Sequence, residues 1–309
     1  MNLKEETICG YTVSALSKQV WNIQMEMLKK LLDVCDKHNL KIWAEGGTLL
    51  GTIRHKGFIP WDDDIDMMML RDDYEKLLKV APAEFTDPLF FQAPSTESGY
   101  VRGHAQLRRS DTTGIIPADI GQIFNQGIFI DIFVFDFLPA TEEEREIVFA
   151  KLESKRRRLL RRNYNLPHNL STLWFKIIDT VYYGLHGYYP KYKEMEDLIV
   201  NYTNKSDYLI GDVLWTSHKY QKYMRDIKWY RDTIMLPFED MEMPVPIGYD
   251  EILRTQYGDY MTPVEAPSNH GSVIFDIHNS YKESLKNLYS QMSWKHRAIQ
   301  FFTPGPAKN

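Results

Sequence analysis

A chain of 309 residues, 43% hydrophobic and 26% charged, is long and apolar enough to bury a large core. Its net charge of −5 excludes bulk nucleic-acid binding, which needs a basic surface. Cys9 and Cys35 are too few for a disulfide framework or a zinc cluster, which fits a reducing compartment. The first residues have no signal-type apolar run, and the most apolar stretch, residues 128–138, is cut by Asp131 and Asp136, so the expectation is a cytoplasmic protein.

In chain order, apolar residues at Leu16, Val20, Ile23, Met27, Leu31 and Cys35 mark one face of a helix over residues 14–38. Residues 41–45 read as a strand and Gly46-Gly47 as a tight turn. Residues 48–53 then read as a short helix with Thr48 near its N-cap. A strand led by Asp64-Ile65-Asp66 and continued by Met67, Met68, Met69 and Leu70 comes next, then a helix from Arg71 that ends before Pro82. Residues 89–92, 105–109 and 127–137 read as further strands, the last with Asp131 among apolar neighbours. Residues 141–165 start a helix and end in a basic run: Lys151, Lys155, Arg156, Arg157, Arg158, Arg161 and Arg162. Residues 173–192 are rich in aromatics, with Trp174, Phe175, Tyr182, Tyr183, Tyr188 and Tyr189. Basic beside aromatic side chains suits the edge of an anionic membrane; a solvated helix face followed by a core helix explains the same pattern. Pro237, Pro244, Pro246, Pro263 and Pro267 mark the last third as ordered loops that cover a face.

The chemistry concentrates in residues 45–70. Residues two apart on a strand share a side, so Asp64 and Asp66 project together and repel, which a divalent cation relieves. A lone carboxylate inside an apolar strand is costly unless paired or metal-bound, so Asp131 is the natural third ligand. An EF-hand is excluded by Met67 and Asp73 where that loop needs glycine and a bidentate glutamate. A purely structural acidic turn competes with a metal site. The upstream glycines weigh against it, since backbone N–H groups at a helix start receive phosphate. Arg54, His55 and Lys56 sit between the two features; Arg54 and His55 are read as neutralising a diphosphate, and Lys56 as a surface cation.

The run GGTLLGTIRHKGFIPWDDDID, followed by Asp72-Asp73-Tyr74-Glu75-Lys76, closely resembles the signature of the LicD family. Members are phosphocholine transferases of bacterial surface glycans, related to fukutin-type sugar-phosphate transferases. Residues 127–133, 236–246 and 257–263 extend the likeness, which covers roughly residues 25–270. The resemblance implies an α/β (α+β) fold: a nucleotidyltransferase-like core with a mixed sheet over residues 1–140, then a helical insertion and a C-terminal lid over residues 141–309. It implies metal ligation and catalysis by Asp64, Asp66 and Asp131, with Mg²⁺ the expected ion and Mn²⁺ the alternative. Gly46, Gly47, Thr48, Arg54 and His55 would cradle the donor phosphates.

The implied reaction moves phosphocholine from CDP-choline to a sugar hydroxyl of a glycan precursor (teichoic acid, lipopolysaccharide or capsule) and releases CMP. The acceptor is expected to be lipid-linked, which would bring residues 151–192 to the inner face of the membrane. Ribitol phosphate, glycerol phosphate and phosphoethanolamine are alternative cargoes, and a DxD nucleotide-sugar glycosyltransferase is an alternative class. Trp215, Tyr220, Tyr223, Trp229, Tyr230, Tyr257 and Tyr260 supply aromatic faces for a quaternary ammonium, and Asp259 supplies a charge for choline or ribose.

Overall fold

A computed structural model describes residues 2–120, 122, 124–163, 170–200, 209–214, 223–265 and 272–291. Its elements are β1 (Glu6–Ile8), β2 (Tyr11–Val13), α1 (Ala15–Lys37), β3 (Trp43–Ala44), α2 (Gly46–Arg54), β4 (Asp66–Leu70), α3 (Arg71–Glu84), β5 (Leu89–Gln92), β6 (Ala105–Arg109), β7 (Thr113–Ile115) and β8 (Ile128–Phe137). Then come α4 (Glu142–Asn163), α5 (Leu170–His186), α6 (Tyr188–Val200), β9 (Leu209–Gly211), β10 (Arg225–Asp226), β11 (Thr233–Phe238), β12 (Met241–Pro246), α7 (Tyr249–Tyr257), β13 (Ile274–Asp276) and α8 (Tyr281–Gln291).

The ten residues of β8 form the spine of a mixed seven-stranded sheet. β4 lies parallel along one edge, with Asp66 opposite Asp131 and Leu70 opposite Phe135. On the other edge β6 runs antiparallel over the first half of β8, and β9 pairs with its last two residues. β3 closes the sheet beside β4, β5 beside β6 and β10 beside β9. The fold is thus the expected α/β (α+β) arrangement with a mixed sheet. Both faces of β8 are buried, which is why its sequence is almost continuously apolar.

α1 packs along this sheet. Ser14 caps it, its hydroxyl accepting from Ser17 N at 3.0 Å. The buried stripe is broader than the spacing of three to four suggests, because Trp21, Met25 and Leu28 add a second row; Leu16, in the first turn, is exposed.

Three expectations are corrected. α3 continues through Pro82, which forfeits one hydrogen bond only in the last turn. Gly46-Gly47 is the first turn of α2, capped by Glu45, rather than a turn before it. The last third contains regular structure instead of covering loops: β9 and β10 join the central sheet, and β11 and β12 form a hairpin. Its prolines misled because they read as breakers. Pro237, Pro244 and Pro246 all fall in alternate pairs, with Glu242, Met235 and Thr233. Counted from the closing pair Phe238–Met241, these are the pairs whose N–H groups point away from the partner, so no ladder bond is lost.

Helices α4, α5 and α6 gather around a second apolar cluster that includes Leu138, Phe149, Leu152, Tyr183, Tyr192 and Ile199. The sheet itself crosses residue 140, since β9 and β10 lie beyond it. The bundle is joined to the sheet by Arg71. Its guanidinium donates to both oxygens of Asp136 on β8 at 2.8 Å and to Glu196 on α6 at 2.6 Å, all buried. Arg71→Ala leaves two buried carboxylates without this partner, and the unfolding free energy is expected to fall by about 3–5 kcal/mol in chemical denaturation.

Candidate active site

The strand register brings the acids together. In parallel strands, side chains abreast share a face, so Asp66 and Asp131 stand side by side, and Asp64 joins them from the extended approach to β4. One oxygen from each of the three lies within 4.8 Å of the others, and Asp62, Asp63 and Asp64 form a second such group. Asp64 and Asp131 are buried while Asp66 is partly exposed, so the cluster opens to solvent on one side.

Backbone and side-chain bonds fix each acid. Asp131 N donates to Ile65 O at 2.8 Å, and Asp66 N donates to the Thr48 hydroxyl at 2.8 Å. Glu45 N donates to Asp66 O at 3.0 Å, tying the start of α2 to the same strand. From behind, α1 holds the acidic loop: Trp21 Nε1 donates to Asp62 O at 3.1 Å and Gln24 Nε2 to Asp63 O at 2.9 Å.

Gly46 and Gly47 meet the acids directly. Gly46 has φ +53°, and a Cβ there would come within 2.9 Å of Asp66 Oδ2. A side chain at Gly46 would therefore strain the backbone and displace a carboxylate. Thr48 is buried and its hydroxyl is occupied by Asp66 N, so it orients a carboxylate at the helix start.

Arg54 and His55 lie at the other end of α2. Eight residues of helix, about 12 Å, separate Arg54 from Gly46. Arg54 donates to Tyr260 O at 2.9 Å, which anchors the C-terminal segment to the end of α2. Burial first, and Arg54 second, lower the pKa of His55. Arg54 is also electrostatically coupled to Tyr257.

The candidate aromatic face divides in the same way. Tyr230 is buried edge-on against Trp43 at 5.3 Å, Trp229 packs on Gly248, and Tyr260 donates to Asp250 at 2.6 Å. Asp259 accepts from the Thr262 hydroxyl at 2.9 Å at the surface. Tyr257 keeps part of its side chain exposed and is electrostatically coupled to the acids: desolvation first, then Glu45, Asp66 and Asp62, push its hydroxyl pKa up, with Tyr223 a further contributor. Trp215 and Tyr220 lie outside the described residues.

The sequence reading missed a buried polar chain behind Asp131. Gln106, opposite Asp131 on β6, donates to its Oδ1 at 2.5 Å, and His104 Nε2 lies 3.6 Å from the same oxygen. Arg108 donates to Gln106 Oε1 at 2.5 Å, to Gln92 Oε1 at 2.9 Å and to Gly127 O at 2.7 Å. Gln92 bonds Glu97 in turn. Burial lowers the Arg108 pKa to about 10, with Arg102 adding to the effect. The only signal was the alternation of Gln106 and Arg108 in a short strand, polar residues where an apolar row belongs.

An all-carboxylate donor set of this size suits a hard divalent cation such as Mg²⁺ or Mn²⁺ and is unlike the nitrogen and sulfur sets that zinc prefers. Burial first, then the neighbouring carboxylates, push Asp64 and Asp66 well above the usual carboxylate range. Folded pKa values above the unfolded ones mean that ionisation costs stability as pH rises. Asp66→Asn is therefore expected to raise the melting temperature of the cation-free chain by a few degrees at pH 8. The gain should shrink as pH falls and the wild-type carboxyls take up protons, which calorimetry at several pH values checks.

Comparisons with known proteins identify the family. Residues 39–139 match the family described as LicD/FKTN/FKRP, nucleotidyltransferase domain. Over 244 residues the chain is 30% identical to lipopolysaccharide cholinephosphotransferase LicD of Haemophilus influenzae, covering 74% of this chain and 84% of that protein. It is 34% identical over 82 residues to an uncharacterised protein of Rickettsia prowazekii, covering 26% and 30% of the two chains. It is also 30% identical over 84 residues to human ribitol 5-phosphate transferase FKRP, covering 25% of this chain and 17% of that one. Fold, carboxylates and relatives together define a phosphotransferase on a nucleotidyltransferase-type core. The chain belongs to the LicD family.

Proposed function

We propose that the chain transfers phosphocholine from CDP-choline to a hydroxyl of a surface glycan such as lipopolysaccharide. The observation that carries this reading is the carboxylate set at the β4–β8 register, beside the first turn of α2. A relative named for cholinephosphate transfer to lipopolysaccharide aligns with 74% of the chain and supports the cargo. Tyr257, electrostatically coupled to Asp66 and Asp62, offers an aromatic face to a quaternary ammonium.

In the reaction the acceptor oxygen bonds the phosphorus that carries choline, the bond from that phosphorus to the bridging oxygen breaks, CMP departs with the electron pair, and the hydroxyl proton passes to solvent. Asp64, Asp66 and Asp131 would hold Mg²⁺, which when bound neutralises the diphosphate and favours deprotonation of the hydroxyl. The N–H groups of Gly46 and Gly47, at the positive end of α2, receive donor phosphate oxygen. Gln106 keeps Asp131 in the rotamer that faces Asp66. Ribitol phosphate, as in the name of the human relative, fits the same phosphorus chemistry and needs no aromatic face.

The test is thermal stability with Mg²⁺ against CDP-choline, CDP-ribitol, CDP-glycerol and UDP-sugars, followed by assay of CMP release. A ligand at a hundred times its dissociation constant adds about 2.7 kcal/mol, so CDP-choline should raise the melting temperature clearly. Asp131→Asn should remove the shift and lower turnover about 10²-fold or more. Stabilisation by UDP-sugars alone would overturn the reading in favour of a glycosyltransferase.

The choline preference is expected to reside in Tyr257. Tyr257→Ala should raise KM for CDP-choline by about threefold to thirtyfold while leaving KM for CDP-glycerol nearly unchanged, as loss of a cation–π contact of about 0.5–2 kcal/mol requires.

A further inference from the structure

Helix α5 carries apolar side chains on the wrong face for a core helix. Among its described side chains only Asp179 and Tyr183 are buried. Leu170, Trp174, Ile177, Ile178, Val181 and Leu185 recur every three to four residues and all are exposed, Leu170 at 85% and Leu185 at 78%. They form a stripe about 22 Å long on one side of the helix. A contiguous apolar patch of this kind marks an interaction surface.

The charges around the stripe select the partner. Arg158 of α4 donates to the buried Asp179 at 3.0 Å and lies over the Tyr182 ring at 3.9 Å. The contact sets the basic stretch of α4 that holds Lys151, Lys155, Arg156 and Arg157 beside α5. Arg157 there is 74% exposed. Asp179 is the single acid in the α5 sequence and it faces inward. Among the described side chains the outer face of α5 is therefore apolar and carries no carboxylate, and the α4 cations beside it, Lys151, Lys155, Arg156 and Arg157, outnumber the Glu153 and Glu194 carboxylates that bond them.

From this geometry we infer that the α5 face docks on an anionic lipid surface. An isologous dimer through the same stripe would press two basic borders against each other, whereas anionic headgroups neutralise them. Trp174 near one end of the stripe suits the headgroup boundary, where indole rings concentrate. No helix among the described residues is long and apolar enough to cross a membrane, so α5 lies in the interface instead of spanning it. The inference is independent of which phospho-alcohol the site transfers.

The experiment is co-sedimentation of the full chain with phosphatidylcholine vesicles, with and without phosphatidylglycerol. Binding is expected to be about tenfold or more stronger to the anionic vesicles and to weaken at high salt. The Trp174→Glu, Leu185→Glu double variant should lose binding about tenfold or more, with its melting temperature and its response to CDP-alcohols unchanged. Arg157→Glu, on α4 outside the stripe, should reduce only the anionic preference and provides a second variant if the first fails to fold. Equal binding to both vesicles, or undiminished binding by both variants, overturns the inference. So does a dimer that the double variant dissociates while neither protein sediments with lipid, an outcome that gives the face to a second copy.

Discussion

The register of β4 on β8 is the constraint on which the rest depends. A slip of one residue in either strand would turn its whole set of side chains to the other face, parting Asp66 from Asp131 and forcing the buried Met67, Met68 and Met69 to repack against the opposite layers. Packing and chemistry are therefore specified by the same pairing. The apolar residues between the acids hold the register, and the register holds the acids together against their own repulsion. Such a concentration of carboxylates is costly to ionise, which is why burial and mutual repulsion hold Asp64 and Asp66 well above the usual carboxylate range.

The opposition to that repulsion is distributed behind the sheet. Arg108 is fully buried on β6 and reaches Asp131 only through Gln106, so it lends positive potential without forming a direct ion pair. A direct Arg–Asp pair would occupy both carboxylate oxygens and close them to the pocket. The intervening amide engages one oxygen and fixes the rotamer. Glu45 is treated in a comparable way from the other side, where the buried Arg225 of β10 bonds it at 3.1 Å. Both arginines lie on strands of the one sheet, so the electrostatic surroundings of the acids depend on chain segments more than a hundred residues apart.

What could be read from the sequence was what short-range pattern encodes. The strands at Leu89–Gln92 and Ala105–Arg109 were recovered because alternation and turn residues bound them, and the acidic motif because two carboxylates two residues apart carry a local geometric meaning. The spacing of Arg54 and His55 from Gly46 was hidden, because nearness in sequence does not reveal that a helix of two and a half turns intervenes. The hairpin at Thr233–Pro246 was hidden by prolines whose tolerance depends on the pairing of another strand. Gln106 and Arg108 were invisible for a deeper reason. Their meaning lies in being opposite Asp131 and Phe129 on β8, and nothing in a single short strand states its partner.

The helical annex follows from the same long strand. β8 supplies Asp131 to the carboxylate cluster at one end and Asp136 to Arg71 toward the other, five residues and about 17 Å apart. Arg71 opens α3 directly after β4, so the motif that delivers Asp66 also delivers the cation that receives α6 through Glu196. The annex is thus held at a fixed distance from the acids by one rigid strand and one buried ionic triad. A surface carried by α5 would consequently be set against the site by the sheet itself.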